Sequence, residues 1–162
     1  MAYPLTPSQS RDLLKFCRSV GGATVFTVSF IFVTGEESER LANTFYQRLS
    51  KFSAGERLLE NIFGNGFTIH ECWSLNDESV EAILTETDGD LFAYNLLCKP
   101  EDWLIYAGAE IVLQVVSNEQ EITLRLSEAQ YSEFTKLGIP HKPGQPQWSG
   151  LPESPTSMPP GN

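Results

Sequence analysis

An α+β domain built on an antiparallel sheet is predicted for this 162-residue chain by three observations. A capped amphipathic helix opens it, and a strand that is apolar on both faces follows. From Gly66 onward the apolar period switches to two, before a last capped helix. The predicted order is an N-terminal helix, a central strand, two helices, an antiparallel β-meander and a closing helix.

Thr6 caps the first helix, Pro7 suits its first position, and Gln9 completes a capping box. Leu13, Leu14, Cys17 and Val20 form its apolar face, and Gly21-Gly22 ends it. Ala23 to Thr34 reads as the strand. Phe26, Val28, Phe30 and Phe32 share one face, and Val25, Ile31 and Val33 keep the other apolar, as expected of a strand covered on both sides. Gly35 to Phe52 reads as a helix with Leu41, Phe45, Leu49 and Phe52 on one face. Ser53 and Glu56 form a capping-box pattern for a short helix bearing Leu58, Leu59, Ile62 and Phe63, stopped at Gly64.

Phe67 to Leu75 then reads as a strand turned at Asn76-Asp77. Val80 to Thr87 and Asp90 to Cys98 read as a hairpin around Asp88-Gly89, a strong two-residue turn signal. Glu110 to Ser117 and Glu121 to Leu126 form a second hairpin. Ser127 caps a helix from Glu128 to Leu137 that ends at Gly138. Residues 139–162 hold seven of the ten prolines and few apolar side chains. Such a segment cannot offset its ordering entropy, so one domain over 1–138 and a disordered tail over 139–162 are expected.

Charge is the most one-sided property. Leu58 to Cys98 carries eight carboxylates and no Lys or Arg. Residues 1–57 hold seven bases and five acids, net +2; residues 58–162 hold four bases and sixteen acids, net −12. The sum is the chain's −10. Such a field repels nucleic acid and attracts basic partners. No apolar run is long enough to span a membrane. Met1-Ala2-Tyr3-Pro4 lacks the basic start and apolar block of a secretory signal. Cys17, Cys72 and Cys98 are an odd set at irregular spacing, which suits reduced thiols. Cytoplasmic residence is therefore expected.

No catalytic signature is present. The chain has no glycine-rich phosphate cradle, no serine elbow and no metalloprotease helix. Glu86-Thr-Asp88-Gly-Asp90 alternates oxygen ligands, but the twelfth position from Glu86 is Leu97 where a calcium loop needs Glu. His70 and Cys72 lie two apart, yet no second ligand pair exists for zinc. No cofactor, metal or catalytic residue is assigned. Glu71 shares strand parity with Phe67, Ile69, Trp73 and Leu75, so it belongs at a rim or beside a bulge.

If the meander strands pair in order, Glu86, Asp88, Asp90, Glu119 and Glu121 gather at one end of the sheet, with Asp77, Glu78, Glu101 and Asp102 at the other. Together with Asp102 and Trp103, an aromatic beside carboxylates, the first group forms the candidate surface for a basic protein partner. The expected function is a small acidic domain that neutralises such a partner, most concretely a bacterial immunity protein or antitoxin against a cationic toxin. Two alternatives are a small-molecule domain or enzyme using the sheet near His70, Glu71 and Trp73, and a secretion chaperone or adaptor.

Overall fold

Six strands pair into one antiparallel sheet in the computed structural model, which describes residues 5–21, 24–29, 46–60, 67–92, 102–116 and 120–142. The elements are α1 (Pro7–Ser19), β1 (Thr24–Ser29), a 3-10 turn (Ser50–Phe52), β2 (Ser53–Glu60), β3 (Phe67–Ser74), α2 (Asp77–Glu86), β4 (Asp102–Ala107), β5 (Glu110–Val116), β6 (Glu121–Leu124) and α3 (Glu128–Thr135). The strand order is β2-β3-β1-β4-β5-β6, so β1 is central and the α+β class holds: a helix first, a strand meander and a closing helix.

α1 forms as its capping box demands. The Thr6 hydroxyl accepts from the Gln9 backbone N–H at 3.2 Å, and the Gln9 side chain accepts from the Thr6 N–H at 2.9 Å. Leu13, Leu14 and Cys17 are buried, so the predicted apolar face is the one that packs. The last turn closes with Gly21 at φ +72°, where a Cβ would lie 2.8 Å from that of Ala107. That approach fixes the end of α1 beside the end of β4.

β1 pairs antiparallel with β3 on one side and β4 on the other, so β3 and β4 run parallel. A parallel pair cannot be joined by a hairpin; it needs a crossover, and α2 supplies it. This corrects the predicted hairpin: Val80 to Glu86 is helical, and Asp88-Gly89 is the helix's terminal turn. The confusion has a physical source. Val80, Ala82 and Leu84 alternate, but Val80, Ile83 and Leu84 also fall at helical spacing, and those three are the buried ones. Asp-Gly serves a hairpin or a helix end equally, because both need positive φ; here φ is +53° at Asp88 and +76° at Gly89. The Gly89 N–H reaches the Leu84 carbonyl at 2.8 Å, closing the turn. Asn76, read as a strand turn, is instead the cap of α2, accepting from the Ser79 N–H at 3.0 Å.

The second correction is at residues 53–60. The predicted short helix there is strand β2, paired antiparallel with β3 from Glu56↔Glu71 to Glu60↔Phe67. Apolar positions 58 and 59 fit either period, and the open side of β3 offers a row of backbone partners that a helix would leave unused. Gly55 settles the local geometry, with φ +92° at a register shift between Ser53 and Glu56, a conformation no helix contains. The preceding predicted helix is seen where described: residues 46–49 are helical and run into the 3-10 turn. Its earlier part, strand residues 30–34, and residues 61–63 and 93–98 lie outside the described residues.

The core lies between one sheet face and the helices. Phe26 pairs with Trp73 and Ile105, and Trp103 with Val115, which aligns these side chains on one face. They join Leu13, Leu14 and Cys17 of α1, Val80, Ile83 and Leu84 of α2, and Phe134 of α3 in a single cluster. Phe26 is fully buried, with its ring centroid 5.6 Å from Trp73 and 6.1 Å from Trp103. On the opposite face Thr27, Cys72 and Tyr106 are buried as well. At Phe26 and Thr27 both faces of β1 are therefore covered, in keeping with its two-sided sequence.

The packed chain continues past Gly138. Ile139 is buried in the core, and His141 donates from Nδ1 to the Ile139 carbonyl at 2.8 Å while its Nε2 meets the Tyr131 hydroxyl at 3.0 Å. Residues 143–162 of the expected tail lie outside the described residues.

Candidate functional site

The acidic stretch meets the chain's own bases. All four carboxylates of α2 form ion pairs with residues from the N-terminal third: Asp77 with Arg18 at 2.7 Å, Glu78 with Lys51 at 2.8 Å, Glu81 with Arg11 at 3.0 Å, and Glu86 with Arg48. The charge asymmetry read from sequence is therefore partly internal complementarity. The basic side of α1 and the segment before β2 hold the acidic helix from two directions.

These pairs perturb titration in the direction expected. The Arg11 hydrogen bonds hold the Glu81 carboxyl below the usual value of 4.5, and the Lys51 hydrogen bond does the same for Glu78. A lowered folded-state pKa contributes stability that is present above the unfolded value and lost as pH falls through the folded one. Wild-type stability should accordingly fall more between pH 7 and strongly acidic pH than that of Glu78→Gln/Glu81→Gln, measured as denaturant midpoint against pH. Parallel curves for the two proteins would show that these exposed pairs carry no linkage. Cys17 lies in the core, and its burial there pushes the thiol's pKa well up.

The crossover decides where the candidate residues go. α2 starts beside the end of β3 and must return to the start of β4, so its last turn lies at the end of the domain where Asp102 opens β4. In the sheet, Asp102 pairs with Val116, and Val116 with Glu121, so these three form one row across β4, β5 and β6 at that same end. Glu86, Asp88 and Asp90 are thus brought to one end of the domain with Asp102 and Glu121. Asp102 was expected at the opposite end; the parallel relation of β3 and β4 moves it. Glu119 lies outside the described residues.

Within this group the residues differ in freedom. Glu86 is half-buried and holds Arg48. Asp88 is exposed in the left-handed conformation. Asp90 is exposed and caps the following turn, its Oδ1 accepting from the Phe92 N–H at 2.9 Å. Glu121 is exposed at the start of β6. Trp103 is different: it is 2% exposed and packs on Phe26, so it is a core plug and presents no surface.

Trp73 is likewise buried, beneath Tyr46 at a ring separation of 5.5 Å, whereas Glu71 on the same strand face is exposed. Glu71 is therefore an exposed position on that face, close enough to Tyr46 for its charge to act on the Tyr46 hydroxyl. It stands directly opposite Glu56 in the β2–β3 ladder, and like charges so placed repel. Burial and the Glu71 carboxylate together push the Tyr46 hydroxyl's pKa up.

The sequence could not reveal the ion pairs that silence α2, because their partners lie 27 to 70 residues away. Among the described residues no three His, Cys, Asp or Glu side chains gather as metal ligands, and no helix is long and apolar enough to cross a membrane. Comparison with protein-family models, with curated proteins and with solved structures found no match to this chain.

Proposed function

We propose that the protein is a small acidic binding domain that neutralises a basic polypeptide partner, most concretely an immunity protein or antitoxin that covers a cationic toxin. The observation that carries this reading is the collection of Glu86, Asp88, Asp90, Asp102 and Glu121 at one end of the domain. Glu86 in this group holds Arg48, as Asp77 and Glu78 at the other end of α2 hold Arg18 and Lys51, while Asp88, Asp90 and Glu121 are exposed. A toxin that grips phosphate must carry a basic groove, and an acidic cover competes for those same cations with a steered on-rate.

The test is co-purification from the native host, identification of the bound polypeptide by mass spectrometry, and association kinetics with the purified pair. The partner should be strongly basic. Asp88→Lys/Glu121→Lys, checked for native circular dichroism, should slow association about tenfold at low salt and flatten its salt dependence. Unchanged association at low salt would remove the acidic end from the binding surface.

A further inference from the structure

Among the described strands the sheet ends at β2 and β6, and the two edges are built differently. β2 is guarded. Gly55, at φ +92°, sits where the β2–β3 register shifts, and Glu56 stands opposite Glu71. Bulges and unmatched charges are ways in which a sheet edge refuses a further strand. β6 has no lysine and no proline, and its ladder with β5 runs without a register shift. The Arg125 N–H bonds to the Val112 carbonyl at 2.9 Å, and Leu124 stands opposite Leu113. The backbone groups of Thr123 and Arg125 therefore face β5, while those of Ile122 and Leu124 point to the open side.

Along this edge the sequence Glu121-Ile122-Thr123-Leu124-Arg125 is complementary to itself in the antiparallel sense. Turned about Thr123, it sets Ile122 against Leu124 of a second copy and Leu124 against its Ile122, side chains that are half-buried against the core in each monomer. On the other face Thr123 meets Thr123, and Glu121 meets Arg125 at both ends. The backbone agrees with the side chains, because Ile122 and Leu124, which point outward, become the pairs that exchange both hydrogen bonds. Sliding by two residues keeps the faces but loses both charge pairs. Glu121 and Arg125 are exposed, and neither forms an ion pair among the described residues. Within one copy they lie roughly 13 Å apart along the strand, too far to meet each other.

We infer that β6 is a self-association edge, where two copies pair β6 with β6 about a two-fold axis at Thr123 and join their sheets. This goes beyond the basic-partner reading and does not rest on it. The strand is short, so the dimer is weak and depends on concentration.

The experiment is sedimentation equilibrium of the full chain up to about 1 mM, in salt that screens the net charge of −10 beyond about 8 Å. Wild type should show a monomer–dimer equilibrium. Arg125→Glu and Glu121→Arg, each checked for native circular dichroism, set like charges opposite at both ends and should each weaken it about tenfold. An equimolar mixture of the two variants restores opposite charges and should dimerise as wild type does. The exchange Glu121→Arg/Arg125→Glu should do so alone. Arg125→Glu removes no acid, so its effect is separate from any loss of basic-partner binding. A wild type that stays monomeric throughout, or a mixture that associates no better than either variant, would overturn the β6 edge and leave the basic-partner reading in place.

Discussion

Truncating Phe26 to alanine should lower the stability of the domain by roughly 3–5 kcal/mol, the range for a buried phenylalanine lost from a core. Phe26 has no solvent exposure and sits at the centre of the sheet, with strands on both sides and α1 and α2 above. Its ring touches both core tryptophans, Trp73 at 5.6 Å and Trp103 at 6.1 Å. The surrounding groups belong to four elements that cannot all close on the gap at once, which argues for the upper half of the range. Domains of this size are held by about 5–15 kcal/mol, so the variant keeps only part of its stability. The readout is the urea midpoint at unchanged slope, with Tyr131→Ala, at 38% exposed, as the comparison expected to move little. A Phe26→Ala midpoint equal to wild type would mean that β1 is not the centre of the core.

Gly89→Ala should be the next most damaging change, through two separable effects. Gly89 has φ +76°, where an L-residue costs roughly 1–2 kcal/mol. An added Cβ would also lie 2.6 Å from the Cβ of Pro7 and 3.0 Å from its Cα, so α1 or the α2 turn must shift. Crowding of that kind adds roughly 1–3 kcal/mol. Gly138→Ala supplies the conformational part alone, since φ is +65° there and nothing lies within 4 Å of the added atom. Pro7→Gly in the Gly89→Ala background should recover part of the crowding loss, and a double-mutant cycle would give the coupling. Equal losses for Gly89→Ala and Gly138→Ala would show that the Pro7 contact yields freely.

Local signals were legible wherever the chain needs only itself to form an element. The capping boxes at Thr6 and Ser127 and the β5–β6 pairing of Leu113 with Leu124 and Val115 with Ile122 follow from residues within a few positions or one turn. Those elements match the sequence reading, as do strands β1 and β3 where they are described. Short apolar runs at 58–63 and 80–87 satisfied two periods at once, and the local pattern could not choose.

The choice came from strand order. With β1 between β3 and β4, the segment after β3 must cross back over the sheet, which makes 77–86 a helix, and the vacant side of β3 makes 53–60 a strand. The same topology gathers Asp88, Asp90, Asp102 and Glu121 at one end and sets Arg11, Arg18, Arg48 and Lys51 against α2. Composition by itself determined that the chain carries an excess of ten negative charges. Only the tertiary structure decided which of them are neutralised from within and which face solvent, because ion pairing depends on separation in space and a sequence records only separation along the chain.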